Sequence, residues 1–243
     1  MAEDKAYVFA HDVGTSSVKS ALVGPEGEII GHASSPYGFS YPRPGWVEQD
    51  PEDYWKGIVI NTRTILKESG FNPDLVMGLV FSTQAMGIIP LDREGKLLMN
   101  NISWVDGRAQ EQASWLMSLL GGKRIFEKLI GVEFTGKDVI PKLRWIKQNR
   151  PEAYEQIHTV VDVNGYLKFR ATGQKVFEWS GACSYGFNLK KKDWERLLFR
   201  VAGFDINKLP PLVRSTDKVG SLTAEAAEAL GLPSSVQVFG GCD

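Results

Sequence analysis

At 243 residues, with 43% hydrophobic and 23% charged side chains, the chain has the make-up of an ordinary globular protein and the length for a sizeable core. Its 28 basic and 29 acidic residues leave a net charge of −1, which excludes the electrostatic footprint of a nucleic-acid or anionic-membrane binder and favours a small-molecule or protein partner. Two cysteines, Cys183 and Cys242, exclude a disulfide framework, and three scattered histidines argue against zinc; with no apolar run of membrane-spanning length and no basic leader, a reduced, cytoplasmic protein is expected.

Tyr7 to Ala10, Val18 to Val23 and Ile29 to Ala33 read as three strands of a meander, the last two joined by the turn Gly24-Pro25-Glu26-Gly27. A Tyr-, Pro- and Gly-rich loop follows from Ser35 to Gly45. Asp50 and Pro51 are N-cap and first-turn residues of a helix whose face is Trp55, Ile58, Val59, Thr62, Ile65 and Leu66, closed by Gly70. Leu75 to Phe81 is a near-continuous apolar run, as in a strand buried on both faces. Meander, helix and buried strand imply an α/β fold with a mixed sheet.

Two extended segments, Gly87 to Leu91 and Leu97 to Trp104, precede a helix opened by Asp106-Gly107-Arg108 and stopped at Gly121-Gly122. Helices are expected over Pro141 to Asn149, from Pro151, and at Gly165 to Arg170 before Gly173. Val160 to Val163 is a candidate strand, and Phe177 to Gly186 reads as a loop over a site. Trp194, Leu197, Leu198 and Val201 share a helical stripe; Thr223 caps a helix ending at Gly231; Val236 to Phe239 is a final strand. The ending Gly240-Gly241-Cys242-Asp243 has no closing element, so the chain is expected to be the first part of a longer one. No linker or repeat divides residues 1–243, which are read as one domain.

The turn His11-Asp12-Val13-Gly14-Thr15-Ser16-Ser17 carries the chemistry that the residues themselves suggest. Small residues in a tight turn expose backbone N–H groups to an anion such as phosphate. Asp12, at a strand end, offers a hard carboxylate suited to Mg2+, and Lys19 on the next strand offers a point charge. A polar hairpin satisfying its own turn is the competing reading, about as good for so short a motif.

The chain resembles the N-terminal domain of the FGGY family of carbohydrate kinases, most of all the xylulokinase-like branch. The resemblance rests on Asp12 to Ser17, Pro44 to Pro51, Gln84 to Gly87, Trp104 to Arg108, Lys142 to Ile146, Tyr166 to Gly173 and Gly240 to Asp243, in that order along the chain. It implies a ribonuclease H-like, actin-like fold with a mixed sheet and helices on both faces. It also implies an ATP-dependent kinase of two domains, of which this chain is the sugar-binding one and lacks the nucleotide-binding one. Asp12 would hold Mg2+; Gly14, Thr15, Ser16 and Lys19 would meet the phosphates of ATP; Asp243 would be the catalytic base. Gln84, Met86, Trp104, Asp106 and Arg108 would line the pocket of a small sugar or polyol. Capping by Asp106 and core filling by Trp104 are the plainer alternatives. The resemblance leaves room for a homodimer and implies neither nucleic-acid nor membrane partners.

Three positions depart from the branch. Xylulokinases typically carry Gln-Met-His-Gly where this chain has Gln84-Ala85-Met86-Gly87, and Trp-Asn-Asp-Gly-Arg where it has Val105 in second place. A motif usually carrying Asp before Ser reads Glu178-Trp179-Ser180 here. These changes point away from D-xylulose, towards another ketose or a polyol. A non-catalytic sugar-binding or degenerate kinase-like module is the alternative from another class, and an actin-like ATPase without a sugar acceptor is a third.

Overall fold

In the computed structural model the described residues are 6–119 and 133–242. Strands β1 (Tyr7–Val13), β2 (Ser17–Val23) and β3 (Ile29–Pro36) form the antiparallel meander. The two-residue strand β4 (Glu48–Gln49) then leads into helix α1 (Pro51–Ser69). Asp50 caps α1 by accepting the Glu52 amide at 2.9 Å, and Gly70 ends it at φ 64°, a conformation open to a residue without Cβ.

β5 (Val76–Thr83) returns parallel to β1. β6 (Ile89–Leu91) and β7 (Asn101–Ile102) lead to helix α2 (Gln110–Leu119). Helices α3 (Val139–Asn149) and α4 (Pro151–Gln156), strand β8 (Thr159–Val161) and helix α5 (Val163–Thr172) follow. Next come β9 (Phe177–Glu178), helix α6 (Trp179–Tyr185), β10 (Phe187–Asn188), β11 (Asp193–Trp194) and helix α7 (Arg196–Ala202). The last described elements are β12 (Leu212–Val213), β13 (Lys218–Ser221), helix α8 (Ala224–Leu230) and β14 (Gln237–Phe239).

The main sheet has six strands in the order β13-β14-β5-β1-β2-β3, with β14, β5 and β1 parallel at its centre. One face carries Phe9, Val18, Leu22, Leu79 and Phe81 and packs with residues of α1, α5 and α8 into the first core. Ala10, Asp12, Lys19, Ala21 and Val80 border an open groove of about 580 Å³ on the other side. The mixed sheet with helical cover is the expected fold, and α1, α5 and α8 supply the cover of the first core.

A second core gathers Ile102, Leu116, Leu143, Ile146, Phe177, Tyr185 and Phe199. The ribbon β6–β8 is the wall between the two. Ile89 and Val161 belong to the first core, Ile88 and Val160 to the second, because successive side chains of an extended chain point to opposite faces.

Some expectations fail at this second core. Phe177 to Gly186 is not a loop over a site: β9 and α6 occupy it, and Phe177, Ala182 and Tyr185 are fully buried. Trp194 lies in β11, and α7 starts only at Arg196, with Glu195 accepting the Leu197 amide. Short elements that mix aromatics with small residues carry no clean period, so their burial is decided by neighbours. The stop of α2 at Gly121-Gly122 lies outside the described residues.

Phe177 packs edge-on against Tyr185 and Trp194, with ring centroids 4.6 and 5.3 Å away. Phe177→Ala is therefore expected to cost about 3–5 kcal/mol in a urea unfolding titration. A loss below about 0.5 kcal/mol, as for a surface substitution, would return this segment to the status of a loop.

Candidate functional site

Asp12, one residue before the end of β1, lies opposite Lys19 on β2 and beside Ser82 on β5. Lys19 Nζ stands 3.5 Å from Asp12 Oδ2, both side chains more than half exposed, so the pair is solvated and contributes little to stability. Among the described residues no group of three or more His, Cys, Asp or Glu side chains could enclose a metal. A lone carboxylate at a strand end fits Mg2+ shared with phosphates and water, and does not fit a cage made of protein alone.

The turn beyond Asp12 is held by its carbonyls. Gly14 O accepts from the Tyr37 hydroxyl, Ser16 O from the Tyr37 amide at 3.0 Å, and Thr15 O from Gln49 Nε2 at 2.9 Å. Burial first, and the Asp12 charge second, hold the Tyr37 hydroxyl above its ordinary pKa, so it remains a donor. The Gly14 amide bonds Ser17 O at 3.1 Å and closes the turn.

Gln49 extends this clamp inward. Its Oε1 accepts from Tyr54 Oη and from Gln84 Nε2, both at 2.9 Å, while Asn101 Nδ2 donates to Tyr54 Oη at 2.8 Å. A polar chain, buried from Gln49 onward, thus runs from the turn after Asp12 to Gln84, just past the end of β5, where α/β sheets bind ligands. Gln84 Oε1, Asn101 Oδ1 and Ser103 Oγ are buried atoms without a hydrogen-bond partner among the described residues. Gly87 is needed beside them, since a Cβ there would meet Asn101 Oδ1 at 2.8 Å. Met86 adopts φ 61°, a left-handed conformation that ordinary side chains seldom take, and packs against the second core. Trp104 is 41% exposed, with Nε1 3.4 Å from Thr15 Oγ1, so it flanks the turn and does not fill core.

Asp106 and Arg108 stand behind the turn, in the ring of groups around Trp46. Both side chains are fully buried. Asp106 Oδ2 accepts the Val47 amide at 2.6 Å and Arg108 Nη2 at 2.7 Å, and Arg108 Nη2 also reaches Glu48 Oε1 at 2.8 Å. The guanidinium lies over Trp46, 4.0 Å from the ring centroid, and 5.0 Å from that of Trp145. α2 begins only at Gln110, so Asp106 does not cap it; the pair instead fixes the Trp46–Gln49 segment, and through it Gln49. Buried Lys142 donates to Ser103 O at 2.8 Å, and burial, partly opposed by the Asp106 charge, lowers its pKa to about 7.

The segment after β14 runs beside β5. Cys242 N donates to Phe81 O at 3.1 Å, Thr83 N donates to Cys242 O at 3.2 Å, and Cys242 pairs across from Ser82. Asp12, Ser82 and Cys242 therefore form a row across the sheet at the rim of the groove. Asp243 lies outside the described residues.

A family profile described as the FGGY family of carbohydrate kinases, N-terminal domain, matches residues 7–243. The chain belongs to that FGGY family. A xylulose kinase of Lactococcus lactis is 32% identical over 97% of this chain and 47% of its own length. An L-xylulose/3-keto-L-gulonate kinase of Escherichia coli is 31% identical over 97% of the chain and 48% of its own length. The crystal structure of a xylulose kinase from Rhodospirillum rubrum superimposes with a TM-score of 0.87 at 29% identity, covering 97% of this chain and 49% of the other. The chain thus spans about half the length of these relatives and has the actin-like ATPase fold of the FGGY family.

Reading the FGGY motifs as contacts misses Gln49, Tyr54 and Asn101, whose roles depend on partners distant in sequence. The signals for Gln49 are its place within the Pro44 to Pro51 motif and directly before the Asp50-Pro51 cap, which pins it to the start of α1.

Gln49→Ala removes the partner of the part-buried Thr15 carbonyl and the acceptor of the Tyr54 hydroxyl, leaves Gln84 Nε2 only its 3.4 Å contact with Tyr54 Oη, and is expected to destabilise the chain by about 2 kcal/mol or more, at about 1–3 kcal/mol for each buried group left unpaired. Thermal unfolding reads this, and a loss under about 1 kcal/mol would mean that water replaces the amide. Lys142 titrates in the folded state near pH 7, against 10.5 for an ordinary lysine. The unfolded chain therefore binds more protons between those values, and stability rises with pH through that window. Lys142→Met should remove this slope: its gain over the parent protein in Tm is largest at pH 7 and below and shrinks towards pH 10. Parallel Tm profiles for the two proteins would contradict that assignment.

Proposed function

We propose that this chain is the sugar-binding N-terminal domain of an ATP-dependent carbohydrate kinase, with the nucleotide-binding half supplied by further chain. The observation that carries the reading is the polar chain from Thr15 through buried Gln49 to Gln84, which couples the turn after Asp12 to a set of buried acceptors without hydrogen-bond partners among the described residues. Gln84 Oε1, Asn101 Oδ1 and Ser103 Oγ supply unpaired buried acceptors suited to sugar hydroxyls.

In this reading the sugar hydroxyl oxygen attacks the γ-phosphorus of ATP. An O–P bond forms, the bond to the bridging oxygen breaks, and ADP leaves. Asp243 accepts the hydroxyl proton. Asp12 would hold Mg2+, which when bound offsets charge on the phosphate oxygens. The amides of Thr15 and Ser16 face the transferring phosphoryl, Lys19 exchanges its Asp12 contact for a phosphate oxygen, and Trp104 and Met86 wall the sugar. Asp106 and Arg108 position Gln49, and Arg108 Nη1, a buried atom without a hydrogen-bond partner among the described residues, is a further group for a sugar hydroxyl. Met86, in place of the histidine of xylulokinases, removes a polar partner, so a ketose other than D-xylulose, a polyol or an aldonate is the substrate class. The reading includes a cytoplasmic location, where ATP is at hand.

The test is ADP release by the longer protein containing this sequence, with magnesium and ATP, across ketopentoses, polyols and aldonates. One sugar should stimulate it strongly, and this chain alone should stay silent because the water-excluding cleft is incomplete. Asp12→Asn in the longer protein should lower kcat by about 10²–10³-fold, the scale of losing one preorganised electrostatic contact. Sugar binding in calorimetry with no ADP release from any form would instead support a non-catalytic binding module.

A further inference from the structure

We propose that Lys168 and Asn164, on the buried side of α5, are positioning residues for the carboxylate at position 243, holding the backbone that carries it. This rests on the reading of Asp243 as the base.

Lys168 is fully buried, and its ammonium donates to Gly240 O at 2.8 Å. Asn164, buried in the first turn of the same helix, donates from one nitrogen to Phe81 O at 3.1 Å and to Cys242 O at 3.0 Å. The three amides of this short segment are tied from outside α5. Gly240 N bonds Asp217 O at 2.9 Å, Gly241 N bonds Ser215 O at 3.0 Å, and Cys242 N bonds Phe81 O at 3.1 Å. A Cβ on Gly240 would stand 2.1 Å from Arg214 O, and one on Gly241, at φ 70°, 2.1 Å from Phe81 O. Both glycines are thus required by close backbone approach, as well as by conformation at Gly241.

A buried ammonium is expensive unless it is paired and hydrogen-bonded. Here Asp162, the N-cap of α5, is also fully buried and feels the Lys168 charge, with the Glu178 carboxylate close enough to oppose it. Glu178 in turn accepts from Ser215 Oγ at 2.8 Å, in the loop that bonds Gly241. The glycine segment is therefore supported from two directions, by Lys168 on Gly240 and by Glu178 through Ser215. A helix needing only to pack would fill these positions with apolar side chains, whereas fixing a carbonyl within a fraction of an ångström calls for a directed donor. Misplacing a reacting group by about 1 Å costs on the order of 10²-fold in rate.

The experiment uses the longer protein, with the stimulating sugar found in the panel. Lys168→Met is expected to lower kcat by about 10²-fold while the KM for sugar and for ATP stay within about threefold, and Lys168→Arg to recover part of the loss. Asp243→Asn alone should abolish most turnover, and adding Lys168→Met to it should lower kcat no further, because the two residues act as a unit. If Lys168→Met does not fold, Asn164→Leu, close in volume, is read in the same way. In the unaltered protein, hydrogen exchange at the Gly241 and Cys242 amides should be as slow as in β5. Normal kcat in a folded variant, equal losses in kcat and sugar affinity, additive losses in the double variant, or fast exchange at these amides would each overturn the positioning role. Full activity of Asp243→Asn would instead remove the base assignment itself, so the two failures are separable.

Discussion

The side-chain amide of Gln49 is the contact on which the site depends. It is buried, it donates to the Thr15 carbonyl, and it accepts from both Tyr54 and Gln84. Four segments meet there: the β1–β2 turn, the entry to α1, α1 itself and the end of β5. None can shift without leaving a buried polar group unpaired, at a cost comparable to a large share of a domain's net stability. Such a network gives rigidity only when every member is satisfied; the orphaned Gln84 and Asn101 oxygens mark the end where it is open to a ligand.

Around Gln49 stands a buried ionic frame. Asp106, Arg108 and Glu48, stacked on Trp46, lock the residues immediately before Gln49, and Lys142 sits beneath with its charge suppressed by burial. Buried ion pairs of this kind seldom add much net stability compared with apolar packing, but breaking one partner is severe because the other charge is stranded. The Trp-x-Asp-Gly-Arg stretch thus divides its labour. Trp104 reaches the turn from the surface, while Asp106 and Arg108 build the wall behind it.

The sheet carries this frame to the groove rim. The parallel centre β14-β5-β1 brings Asp12, Ser82 and Cys242 into one row, although they are far apart in sequence. Parallel pairing requires crossovers, and these supply α1 and α5, whose buried side chains brace the strand ends. The β6–β8 ribbon joins the sheet's core to the second core, so packing around Phe177 and Tyr185 is transmitted to Gly87, whose carbonyl accepts from the Tyr185 hydroxyl.

Much was legible in the amino-acid order by itself. The meander, α1 with its Asp50 cap and Gly70 stop, and the apolar run of β5 were all visible because each rests on local period or local turn chemistry. The motif order was enough to indicate the family. Only the tertiary structure decided the rest: that Asp106 and Arg108 face inward, that Gln49 is the hub, and that Phe177, Ala182 and Tyr185 are core. Hydrogen-bond partners such as Thr15 and Gln49, or Lys168 and Gly240, lie dozens of residues apart. Side-chain burial for a residue such as Arg108 depends on which aromatic rings arrive to cover it, and no local spacing records that.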